Sequence, residues 1–142
     1  MTMSDIERRL PAGFHDAKLL ALDIDYTSSS ARFDFDLWTP TDEEAETYAR
    51  ASIFIQSFQY IVVEKPLTGS GQQNPNHSQS SVDGYTTAEH PGHGESLPTL
   101  NDGHFAHSLF VYGWNSSIHI AAVSASLEPA ELLESESNPN EI

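Results

Sequence analysis

The chain contains no cysteine, which rules out disulfides, thiolate nucleophiles and cysteine-ligated zinc. Cationic side chains are scarce: 6 Lys and Arg stand against 21 Asp and Glu, giving a formal charge of -15. Such a surface repels phosphate backbones and anionic bilayers, so neither nucleic acid nor membrane is expected as a direct partner. Basic proteins and dissolved cations are favoured instead. Long apolar runs are also missing. No stretch approaches the roughly 18 apolar residues of a membrane span, and the N-terminal MTMSDIERRL has no apolar signal-peptide region, so a cytoplasmic location is expected. Gly-x-Ser-x-Gly, a phosphate-binding glycine loop and a dinucleotide fingerprint are absent. No cofactor is expected. At 142 residues the chain fits one domain with a real core and is too short for two ordinary ones.

What is present is alternation. Leu22, Ile24 and Tyr26 alternate with Asp23 and Asp25, and Phe33, Phe35 and Leu37 alternate with Arg32, Asp34 and Asp36. Period-2 patterns of this kind define half-buried strands with one apolar and one polar face. The serines between them make a hairpin. Inward residues must face inward residues, so the loop should hold an even number of residues, and Ser28 to Ala31 is the expected four-residue connection. That register sets Asp25 opposite Asp34 and Asp23 opposite Asp36.

After Trp38, the segment TPTDEEAETY reads as a turn of helix or an acidic loop. Residues 48–64 are strongly β-prone, with a phase slip near Gln56 and Ser57 that either a β-bulge or a tight turn between two strands would produce. Residues 67–104 are rich in Gly, Ser, Gln, Asn, Pro and His and read as a long polar loop, with a short hairpin conceivable near SVDGYTT. FAHSLFVYGWN and SIHIAAVSASLE supply two further, nearly all-apolar strands. The expected organisation is one β domain over 1–128 followed by an acidic tail over 129–142, in which Leu132 and Leu133 make one amphipathic turn. The fold class is mainly β: an antiparallel, curved meander sheet of about five or six strands with at most short helical turns.

Three groups of residues invite a functional reading. Asp23, Asp25, Asp34 and Asp36 share one strand face, and opposed like charges destabilise a strand pair. The face is a docking surface for a Lys- or Arg-rich partner, an oxygen site for a hard cation such as Ca²⁺, or a solvated surface that also discourages edge pairing. Histidines form the second group. His90, His93, His104 and His107, with Glu89, Glu95 and Asp102 as oxygen partners, have ligand types suited to Zn²⁺ or Ni²⁺, although a polar loop of such composition is also ordinary solvated chain. The third is His15 beside Asp16, either an acid/base pair or a strand-start cap following a turn at Gly13; on an extended chain the two would point to opposite sides.

The segment LPAGFHDAKLLALDIDYTSSSARFDFDLW resembles the start of small uncharacterised bacterial β-proteins in which a Phe/Leu-His-Asp-Ala motif opens a meander. Proteins of this look are similar to the immunity proteins of toxin systems. The resemblance implies a mostly β, non-enzymatic, cytoplasmic protein and marks Phe14, His15, Asp16 and Ala17 as family-like positions. The expected function is therefore binding of a basic protein partner, such as a toxin, through the aspartate face. The alternative is a metal-binding protein or metal-dependent enzyme built on the histidine-rich loop.

Overall fold

The computed structural model describes residues 1–39, 47–65, 81–86 and 97–134. A short helix, α1 (Met3–Arg9), precedes six strands: β1 (Ala17–Asp25), β2 (Ser30–Trp38), β3 (Tyr48–Val63), β4 (Ser81–Tyr85), β5 (Phe105–Val111) and β6 (Ser116–Glu128). All neighbours are antiparallel. The sheet closes into a barrel in the order β1-β2-β3-β6-β5-β4, so the mainly β, antiparallel, curved architecture read from the alternation is the one observed.

The alternating residues build the barrel interior. Phe33, Phe35 and Leu37 of β2, Ile53 and Ile55 of β3, Leu109 and Val111 of β5, and Ile118 and Ile120 of β6 are all buried in one core. Removing each such side chain from water contributes roughly 1.5–3 kcal/mol. The N-terminal segment reaches into this core. Phe14 stacks on Phe35 of β2 at 5.8 Å and meets the His107 ring of β5 edge-on at 6.1 Å, so it spans the interior. Ala17 is buried beside it.

Helix α1 was not foreseen as an element, because seven residues carry too little periodicity. Its local signal is a capping box: the Asp5 amide donates to Thr2 Oγ1 at 3.0 Å and the Thr2 amide donates to Asp5 Oδ2 at 2.9 Å. The backbone donor on Asp5 holds its carboxyl below the ordinary 3.8. Met3 and Ile6 are the buried face. At the other terminus, Leu132 of a 3-10 turn (Ala130–Leu132) and Leu133, which caps it, pack against the core, and the Glu134 amide donates to the Arg9 carbonyl at 2.7 Å.

Two expectations about irregular segments are refined. The slip in the long β-prone run is not a turn: β3 runs unbroken, with Ser57 in the left-handed region (φ 53) and the pairing with β6 shifted between Phe58 and Tyr60. The stretch read as a long loop contains β4, a single strand that pairs with both β1 and β5 and closes the barrel. Closure is narrow. Only Ala17↔Val82 and Lys18↔Ser81 join β1 to β4, and from Leu19 onward β1 is paired to β2 alone among the described residues.

Candidate functional site

The outer face of β1, β2 and β3 carries the aspartates. The hairpin loop is four residues long, as parity requires, but it is Tyr26 to Ser29 rather than Ser28 to Ala31. Asp25 sets this position: its Oδ1 accepts from the Thr27 and Ser28 amides at 2.9 and 3.3 Å, a side-chain turn mimic, while Ser29 takes φ 52. The resulting register opposes Asp23 with Arg32, Asp25 with Ser30, Ala21 with Asp34 and Lys18 with Asp36. The expected Asp25–Asp34 and Asp23–Asp36 pairs do not form. A pairing shift between Leu19 and Ala21 moves the lower half by one further residue.

The carboxylates are held by cations supplied from the same sheet. Arg32 contacts Asp23 at 2.8 Å and Asp34 at 3.3 Å, and Arg50 of β3 contacts Asp36 at 2.8 Å. Ser52 donates to Asp34 at 2.6 Å. Lys18 lies 4.4 Å from the Tyr48 ring centre. Exposed ion pairs of this type are each worth about 0–1 kcal/mol, so they order the side chains without neutralising a face that has four carboxylates on two arginines. Its hairpin end is concave. A groove of about 340 Å³ is lined by Asp23, Asp25, Arg32, Phe54 and Gln56, among others.

Adjacent residues of β5 send polar groups to opposite sides of the sheet. His107 points inward and is fully buried; its Nδ1 lies 3.4 Å from Ser4 Oγ and its Nε2 lies 3.4 Å from Glu7 Oε1. Ser108 points outward, also fully buried, and shares a 2.7 Å hydrogen bond with His119 Nδ1. His119 Nε2 lies 3.2 Å from Glu64 Oε2, and Glu64 Oε1 accepts the Ser117 amide at 2.6 Å. Tyr85 and Ser117 hydroxyls meet beside them at 2.7 Å. Both Nε2 atoms sit within ion-pair distance of a carboxylate yet off the line of a hydrogen bond among the described residues. Ser, His and Glu together are the ingredients of a nucleophilic relay. Here Ser108 and His119 are both buried, and the trio ties β5 and β6 to the end of β3. Sequence reading passed over His119 and Glu64; the available signal was a polar ring inside the apolar run SIHIAAV, opposite a serine in the β5–β6 register.

The remaining histidines are dispersed. His90 and His93 lie outside the described residues, as do His77, Glu89 and Glu95. His104 precedes β5, with its Nδ1 3.0 Å from the Asp102 carbonyl. Among the described residues no three His, Asp or Glu side chains gather as a metal site. His15 and Asp16 do face each other, contrary to the extended-chain argument, because Asp16 takes φ 56 and folds the chain back. His15 sits 3.4 Å from Asp16, 3.5 Å from Asp83 and near the Trp38 ring, largely exposed. Asp83 also accepts from the Tyr112 hydroxyl, and that hydrogen bond, with burial and the Asp83 charge, pushes the phenol up to about 12.

Comparison with protein-family models, curated proteins and solved structures finds no match to this chain. No described helix is long and apolar enough to cross a membrane.

Proposed function

We propose that the protein is a non-enzymatic binding module that docks a basic protein segment against the outer face of β1, β2 and β3. The observation that carries this reading is the groove at the hairpin end, where Asp23 and Asp25 flank Phe54 and Gln56. Asp25 is fixed by the turn amides and Asp23 by Arg32, so the carboxylates are ordered before a partner arrives and less side-chain entropy is lost on binding. Phe54 adds apolar area at the centre, in the manner of an interface anchor with a polar rim. The overall charge of -15 draws a cationic partner from a distance. Occlusion of a basic toxin, as the resemblance of the FHDA segment implies, is one form such docking takes.

Amide chemical-shift mapping with a short Lys/Arg-rich peptide tests the location. Perturbations confined to residues 23–32 and 54–56 are expected. Shifts spread evenly over all acidic surfaces would mean that charge alone, and no built face, attracts the peptide.

A further inference from the structure

On the same barrel a second opening exists that the acidic face does not use. β1 leaves β4 after Lys18, and the gap between β1 and the end of the β5–β6 hairpin opens into a cleft of about 260 Å³. Val111 and Ile118, both buried, are the floor; Leu19 and Leu22 of β1 form one wall, Trp114 another, and Val63 stands half-exposed at the rim. No described lining residue carries a charge. We infer that this cleft is a binding site for an uncharged, apolar small molecule the size of a bicyclic aromatic.

Three features select that ligand class. An apolar cavity of about 150 Å³ holds a benzene-sized ring, so a volume near 260 Å³ takes a fused pair of rings. Trp114 offers an aromatic surface for offset or edge contact with such rings. The absence of any cation among the described lining residues, on a chain of charge -15, disfavours fatty-acid and other anionic ligands, whose charge would be desolvated without a partner. The gap beside β1 gives the ligand access without unfolding the barrel.

The test uses the full chain carrying Trp38→Phe, which leaves Trp114 as the sole tryptophan. Titration with the neutral bicyclic probe 6-propionyl-2-(dimethylamino)naphthalene should give saturable one-to-one fluorescence enhancement and parallel quenching of Trp114. Val63→Phe, which fills the rim, and Val63→Glu, which places a charge there, should each weaken binding roughly tenfold or more. Their unfolding midpoints should move little, because Val63 is 46% exposed. Naphthalene-2-sulfonate, also bicyclic but anionic, should bind far more weakly than the neutral probe. The inference is overturned if the probe fails to saturate, if both Val63 variants bind it unchanged, or if the sulfonate binds as well. It is also overturned if sedimentation shows a dimer abolished by Val63→Glu with no probe binding to the monomer, which would assign the cleft to a second copy of the chain.

Discussion

Gly84 is the position where one added methyl tests the barrel interior. A Cβ there would stand 2.8 Å from the Phe14 ring and 2.9 Å from Glu7 Cδ, and would collide with Glu7 Oε2. Phe14 is fully buried and stacked on Phe35, so it has nowhere to go. Glu7 is partly exposed and can swing outward, but it then abandons His107 Nε2, which is buried with that carboxylate as its nearest counter-charge among the described residues. Overpacking costs about 1–3 kcal/mol, whereas His107 Nε2 already lacks a hydrogen bond among the described residues and loses only a neighbouring carboxylate. Gly84→Ala should therefore destabilise the fold by about 1–3 kcal/mol, a sizeable share of the roughly 5–15 kcal/mol available to a domain. Urea unfolding followed by circular dichroism measures this as a lower midpoint at unchanged slope. In a Glu7→Ala background the same substitution should cost at least about 1 kcal/mol less, since only the Phe14 contact remains. A loss below about 0.5 kcal/mol, the range of ordinary surface changes, would refute the account of Glu7 as wedged between Gly84 and His107.

Two further outcomes follow from the same geometry. Ser108→Ala should lose about 1 kcal/mol, and His119→Ala about 2–4 kcal/mol, through the broken hydrogen bond and the cavity left behind; equal and negligible losses in urea unfolding would show that Ser108, His119 and Glu64 do not tie the strands. The Tyr112 phenol ionises at about 12 in the folded chain, above its ordinary value of 10, so its contribution is intact below pH 10 and fades as pH rises towards 12. Tyr112 is 44% exposed, which keeps that contribution small after screening; ultraviolet titration of tyrosinate should show the high-ionising phenol disappear in Asp83→Asn, and its persistence would contradict the assignment.

Much of the barrel is legible in the alternation of Leu22 to Asp25 and Phe33 to Leu37, because period-2 burial is a local property of each strand. Parity even fixes an even loop. What it cannot fix is which four residues turn, since Ser28–Ala31 and Tyr26–Ser29 both satisfy it; the choice falls to the Asp25 side chain and to Lys18, which must reach β4. β4 is legible only as extended chain near SVDGYTT, where a hairpin is as readily expected as a single strand, for a related reason. Five residues containing Gly84, set in polar chain, become a strand only because β1 and β5 supply ladders on both sides. The phase slip at Ser57 is legible as a slip, but only the pairing with β6 shows that the strand continues through it. The candidate face was half readable: the aspartates are plain in the sequence, whereas their distribution onto Arg32 and Arg50 depends on the register and on β3. His119 and its distant partner Glu64 meet only through the β3–β6 ladder.

The docking claim meets its most direct test in stopped-flow association with a Lys/Arg-rich peptide, comparing two variants of equal charge. One carries Asp23→Asn, Asp25→Asn and Asp36→Asn; the other carries Asp102→Asn, Glu131→Gln and Glu134→Gln, all exposed and outside β1, β2 and β3. The face variant should remain folded, because it gives up only surface ion pairs and turn contacts worth about 1 kcal/mol or less each. The account predicts that its on-rate at low salt falls roughly tenfold while the control changes little, with the difference shrinking at physiological ionic strength. Equal on-rates for the two variants would contradict it, leaving the aspartate face as one part of a uniformly acidic surface.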